Sequence, residues 1–176
     1  MTRRAGTQRT GLVMMLLFWV VLMVGGTWWL KGGLEALQNP NARVVTSAAT
    51  STPLTLERNR AGHFRAPGEI NGVPVTFLLD TGATYVAVPA GLVDSLGLER
   101  GRRVWFNTAN GRVQGALVDL DSVSLGGIRM RNVQGSVSPN MQGDTVLLGM
   151  SFLRHLAIEI REGKMVLTLP EPRGQG

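Results

Sequence analysis

Residues 78–84 read Leu-Leu-Asp-Thr-Gly-Ala-Thr, with Phe77 just ahead of them. An apolar strand runs into an acid and then into a turn that carries glycine. That order delivers the Asp80 carboxylate to the mouth of a β-structure, where burial tunes its protonation. Immediately upstream, His63–Ile70 and Val73–Leu79 flank Asn71-Gly72. This dipeptide accepts the positive φ that a two-residue hairpin turn demands. Pro74 has no amide to give to a ladder, so it belongs where the strand has an open side.

The pattern continues downstream. Tyr85–Val88 reads as a short apolar strand. Pro89 suits the first position of a helix over Ala90–Leu96, which Gly97 would stop. Arg102–Thr108 and Arg112–Leu120 flank the glycine-bearing tip Ala109-Asn110-Gly111. Ser122–Leu125 and Ile128–Val133 flank Gly126-Gly127, and Ala157–Arg161 and Lys164–Leu169 flank Glu162-Gly163. Val146-Leu147-Leu148-Gly149 leads into a short helix over Met150–His155. Short strands punctuated by glycine turns predict an all-β, barrel-like fold with one or two short helices. There is no regular repeat, so solenoids and propellers are excluded.

Residues 12–30 hold no charge and are long enough to cross a hydrocarbon core. Trp28 and Trp29 lie at the far end, where amphipathic rings favour the headgroup level. Arg3, Arg4 and Arg9 precede the run, and only Lys31 follows closely. That bias predicts a cytoplasmic amino terminus (1–11), a single transmembrane helix (12–30) and everything else outside the bacterial inner membrane, in the periplasm. A cleaved signal has a shorter apolar region ending near small residues, which favours a retained anchor here. Residues 31–53 have little to bury and read as a flexible linker, with Gly32–Gln38 able to extend the helix. The folded domain then spans 54–170, one small core, and 171–176 form a disordered tail.

The chain has no cysteine, which removes thiolate nucleophiles, zinc-thiolate sites and disulfides. The formal charge is +6. Its arginines are scattered, and Arg100-Gly-Arg102-Arg103 lacks interleaved aromatics, so nucleic acid is not an expected partner. Solvated faces, anionic lipid or an anionic substrate account for these charges. His63 and His155 have no ligand spacing, and Asp119 and Asp121 read as a solvent-facing strand edge, so neither metal nor cofactor is expected.

The Asp80-Thr81-Gly82-Ala83 loop, together with Val146-Leu147-Leu148-Gly149, resembles the active-site loop and the hydrophobic-hydrophobic-Gly element of retropepsin-like aspartic proteases. The likeness spans roughly residues 62–169. It implies a single-lobe acid protease barrel with Asp80 as the catalytic carboxyl. By the same resemblance, the Thr81 hydroxyl bonds across a dimer axis, Gly82 brings its amide to the carboxylates, and Gly149 packs behind the loop. Leu147 and Leu148 are then expected in the core. The hairpin over Val104–Gly115 is the expected flap, with Thr108, Ala109, Asn110 and Gly111 at its substrate-binding tip. Trp105 and Phe106 should face opposite sides, one to the cleft and one to the core.

Acid hydrolysis of a peptide needs two carboxyls around one water. Two carboxylates about 3 Å apart repel by about 5 kcal/mol at an effective dielectric near 20, so the pair keeps one proton. This chain has one Asp-Thr-Gly; Asp144-Thr145 is followed by Val146. A homodimer that brings Asp80 and its symmetry mate together supplies the second carboxyl. The expected activity is an endopeptidase acting on an extended peptide or protein. The alternative is a non-catalytic peptide-binding or assembly module of the same fold. Ala83 stands where pepsin-like lobes carry a hydroxyl. Losing that hydrogen bond to the ionised pair predicts a less acidic optimum than pepsin's. A pH–rate profile peaking well above pH ~3 is the expected outcome, and a pepsin-like maximum at pH ~2–3 contradicts it.

Overall fold

The computed structural model describes residues 5–42, 53–108 and 111–170. The chain divides into two units, residues 1–37 and 38–176. The first is built on α1 (Ala5–Gln38), which extends beyond the apolar run on both sides. Its stretch Val13–Lys31 is 19 residues long with mean hydropathy 2.0. That is the length and composition of a membrane span or of a signal segment. Large side chains from Val13 to Leu30 are exposed on every side of the helix rather than along one stripe. The Thr27 hydroxyl donates back to the Met23 and Val24 carbonyls, both at 2.9 Å, so it is satisfied inside the helix.

The second unit is almost all strand. Its first strands are β1 (Leu54–Glu57), β2 (Arg65–Ile70), β3 (Val73–Leu79) and β4 (Val86–Pro89). They are followed by β5 (Arg103–Thr108), β6 (Gly111–Leu125), β7 (Ile128–Ser138) and β8 (Thr145–Leu148). After the short helix α2 (Met150–Leu153) come β9 (Ala157–Arg161) and β10 (Lys164–Thr168). The larger sheet runs β2-β3-β8-β4-β7-β6-β5. A second pairing between β2 and β6 closes six of these strands into a barrel, with β5 riding on the outside of β6. The smaller sheet is β1-β10-β9. Phe77, Val86, Leu120, Val123, Val146 and Leu148 fill the barrel with no exposed surface.

The Asn71-Gly72 hairpin forms as the sequence indicates, with φ of 52° and 80° at its two turn residues. Pro74 pairs only with the β2 side, because β8 joins β3 from Thr76 onward. β1 has no counterpart among the expected strands, β7 runs on to Ser138 rather than Val133, and α2 stops at Leu153 rather than His155. Two further elements differ from expectation. The helix over Ala90–Leu96 is a 3-10 turn, Ala90–Leu92, with Pro89 closing β4. Seven residues hold too few i→i−4 bonds to fix an α-helix unaided, whereas the shorter α2 has its first amides held by Ala83 O and Thr84 O. The segment after Pro89 ends instead in a Schellman closure: the Gly97 amide donates to Asp94 O and the Leu98 amide to Val93 O. Val93, Leu96 and Leu98 are buried, and that packing sets the path. Second, Arg112–Leu120 and Ser122–Leu125 are one strand. β6 continues because it has two tasks: it carries β5 at one end and meets β2 through Val123–Leu125 at the other.

Asn41 is buried against the smaller sheet, 5% exposed. Its Nδ2 donates to Glu57 O at 2.9 Å and to Arg65 O at 2.7 Å, and its Oδ1 accepts from the Glu57 amide at 2.7 Å. One side-chain amide thus ties β1 to β2 and joins the two sheets. Asn41→Ala strands one amide and two carbonyls in a part-buried setting. It should lower unfolding free energy by about 2–4 kcal/mol, read by urea denaturation. Asn140→Ala, at an exposed site, should change it by less than about 0.5 kcal/mol.

Candidate active site

β8 lies between β3 and β4, parallel to β3 (Leu79↔Leu148) and antiparallel to β4 (Ala87↔Leu147). The segment 80–85 leaves β3 and returns as β4, passing the end of β8. Asp80 is fixed at the start of this loop by its amide, which donates to Leu148 O at 3.1 Å. The Ala83 amide closes a turn on Asp80 O at 3.2 Å. The Gly82 amide donates to Asp80 Oδ1 at 2.8 Å. Among the described residues Oδ2 takes no hydrogen bond, and no cation pairs with the carboxylate. Asp80 is half-buried, while Thr81, Gly82 and Thr84 around it are exposed.

The far side of the loop is held by α2. The helix's first two amides have no partners within the helix. The Met150 amide donates to Ala83 O and the Ser151 amide to Thr84 O, each at 2.8 Å. Ser151 Oγ accepts from the Val86 amide at 3.0 Å. Gly149 makes this approach possible. A Cβ there would overlap the Tyr85 carbonyl and stand 2.6 Å from Ala83 O. Its φ of −93° is open to any residue, so the requirement is for space, not for backbone freedom.

The structure places the expected residues unevenly. Leu148 is fully buried, but Leu147 is half-buried and absent from the core. Strand alternation explains the difference: Val146 and Leu148 point inward, so Leu147 cannot. Leu147 instead lies in register with Leu78 and Ala87, both half-buried, on the opposite face of the sheet. The same period puts this apolar row on the side toward which Asp80 continues. In the β5–β6 hairpin, Thr108 stands opposite Gly111, while Ala109 and Asn110 lie outside the described residues. Trp105 and Phe106 do alternate, but neither joins the core. Phe106 meets Tyr85 edge-to-face at 6.0 Å, and Trp105 is 59% exposed under the Arg112 guanidinium.

Sequence reasoning missed Tyr85, Ser151 and the Leu78–Ala87 row. Alternation outward from Asp80 contains the signal for Leu78. Nothing local marks Ser151, whose partner is distant in sequence. Asp144 is no second carboxyl for Asp80. The parallel β3–β8 register sets it a strand's length away, roughly 16 Å at the usual rise per residue.

A family model described as "gag-polyprotein putative aspartyl protease" matches residues 66–155. The chain belongs to this family. The matched span runs from β2 through α2 and includes the Asp80 loop and Gly149. The barrel is retropepsin-like: it is similar to the crystal structure of a retropepsin-like aspartic protease from Rickettsia conorii. That likeness has 28% identity and a TM-score of 0.55, over 66% of this chain and 88% of the other. An uncharacterized Sinorhizobium protein is 34% identical over 126 residues, 70% of this chain and 54% of the relative. An uncharacterized Rickettsia prowazekii protein is 32% identical over 103 residues, 57% of this chain and 44% of the relative. The chain spans about half the length of these two relatives.

The Gly149 contact is directly testable. Gly149→Ala drives a methyl into the carbonyls of Tyr85 and Ala83, the second of which accepts the Met150 amide. It should destabilise the retropepsin-like domain by about 3 kcal/mol or more, seen as a lowered denaturant midpoint. Gly91→Ala, where a Cβ meets nothing within 4 Å, is the control and should stay within about 0.5 kcal/mol of the parent.

Proposed function

We propose that this chain is an aspartic endopeptidase that works as a homodimer, with Asp80 and its symmetry mate sharing one proton around a water. The observation that carries the reading is the setting of Asp80. Its carboxylate is half-buried at the rim of an exposed loop, with one oxygen on the Gly82 amide and the other without a protein partner among the described residues. In this reading the second carboxyl comes from a second copy of the chain, since Asp144, the other Asp-Thr pair, lies too far along β8. The similarity to a structure described as an aspartic protease, over most of the domain, supports the same reading.

In this mechanism the unprotonated carboxylate takes a proton from the water as oxygen attacks the scissile carbonyl. The protonated partner donates to the carbonyl oxygen, giving a neutral diol. Collapse of the diol passes a proton to the leaving nitrogen and restores the shared state. Thr81, Gly82 and Ala83 form the loop that positions the acid. The Thr108–Gly111 end of the β5–β6 hairpin covers an extended peptide, with main-chain hydrogen bonds to it. Leu78, Ala87 and Leu147 offer apolar surface beside the acid for substrate side chains. Leu148 and Gly149 support the loop from behind.

The apolar part of α1 serves as a single membrane anchor, with the amino terminus cytoplasmic and residues 54–170 on the periplasmic side of a bacterial inner membrane. Residues 31–40 join the anchor to the domain, in which Asn41 is already packed. Anchoring two chains in one membrane raises their effective concentration and favours pairing.

Asp80→Asn keeps the shape and the Gly82 contact but removes the shared proton. Cleavage of a casein substrate should fall by roughly 10²–10⁴-fold, with an unchanged circular dichroism spectrum. A folded Asp80→Asn variant that digests casein at the parent's rate contradicts the proposal.

A further inference from the structure

A cavity of about 460 Å³ opens beside the stem of the β5–β6 hairpin, and Asp80 is not among its walls. Ala116 and Val137 are buried and face each other across β6 and β7, forming its floor. Arg103, opposite Ala116 in the hairpin register, and Arg100 stand on its rim. The two residues between them are held to β6: the Gly101 amide donates to Leu117 O and the Leu117 amide to Arg102 O, both at 2.9 Å. Gln114 shares the Ala116 face of β6, while Phe106 reaches Tyr85 from the alternate face of β5. The cavity is therefore on the other side of the hairpin from the Phe106–Tyr85 contact.

Its charge is uncompensated. No aspartate or glutamate lines it. Among the described residues the ion pairs are Arg129–Glu69, Arg161–Glu159 and Lys164–Glu57, and neither Arg100 nor Arg103 takes part. Guanidinium groups stay charged at any physiological pH and favour planar, two-oxygen acceptors. The volume exceeds what a bare inorganic anion fills, and such an ion would leave the Ala116–Val137 floor wet and unused. A ligand with a carboxylate head and an apolar body uses both parts. The Gln114 amide adds a donor and an acceptor suited to a peptide backbone.

We infer that this cavity binds an acidic peptide segment, with a side-chain carboxylate meeting Arg100 and Arg103 and apolar neighbours resting on Ala116 and Val137. The site is independent of whether Asp80 hydrolyses peptides, because binding alone reads it out.

The test uses the full chain in detergent and two short fluorescein-labelled peptides. One alternates glutamate with valine; in its twin, glutamine replaces glutamate. Fluorescence anisotropy should show the acidic peptide binding about tenfold tighter, the worth of one charge-assisted contact. Arg100→Ala with Arg103→Ala should erase that difference. Ala90→Glu, which builds a carboxylate into the cavity wall, should also block the acidic peptide. Equal binding of the two peptides overturns the inference, as does an acidic peptide that binds the double-arginine variant undiminished. Displacement by inorganic phosphate at the acidic peptide's own dissociation constant overturns the peptide assignment in favour of a simple anion site. Displacement by phosphatidylglycerol micelles at lower concentration than by unlabelled peptide overturns it in favour of a lipid headgroup.

Discussion

The close approach of Gly149 to the carbonyls of Ala83 and Tyr85 is the constraint on which the site depends. Without a Cβ at that position, α2 can bring its first two amides onto Ala83 O and Thr84 O. Those bonds, with Ser151 Oγ on the Val86 amide, hold the loop from behind. Asp80 is held from the front by Leu148 O. The acid therefore sits on a loop whose backbone polar groups are largely committed to β8 and α2. This is how a short loop can be rigid enough to position one carboxylate, and preorganisation of that kind is what acid–base chemistry requires.

Among the described residues, no second Asp-Thr-Gly carboxylate accompanies Asp80. Its loop presents one carboxylate, and the parallel β3–β8 register carries the next candidate, Asp144, to the opposite end of the strand. Asp119 and Asp121 lie exposed on β6. Geometry within one chain thus gives a half-site: a held acid, an apolar row beside it, and a hairpin whose Phe106 reaches the loop through Tyr85. Symmetric pairing completes such a half-site with no new residues, which is why the proposed activity and the proposed dimer are a single claim.

Much of this was legible in the residues because the deciding signals are local. Asn71-Gly72 sets its own turn, and Glu162-Gly163 does the same for β9 and β10. The barrel followed from many short apolar runs between glycines. What stayed hidden was tertiary. Nothing near Asn41 shows that its amide joins β1 to β2, because its partners lie 16 and 24 residues away. The segment after Pro89 looked helical by its caps, but burial of Val93, Leu96 and Leu98 bent it into turns. Leu147 was placed in the core by the family resemblance, and the strand period puts it on the other face. Gly149 was marked only by the family resemblance, and the steric reason for it, the Ala83 and Tyr85 carbonyls, lies across the fold.

Subunit mixing tests the half-site most directly. Parent and Asp80→Asn chains are co-folded at varied ratios, and peptide cleavage is measured at constant total protein. If each active centre draws one acid from each of two chains, activity falls as the square of the parent fraction. Activity that falls linearly would show that one chain carries a complete centre, and would contradict the account.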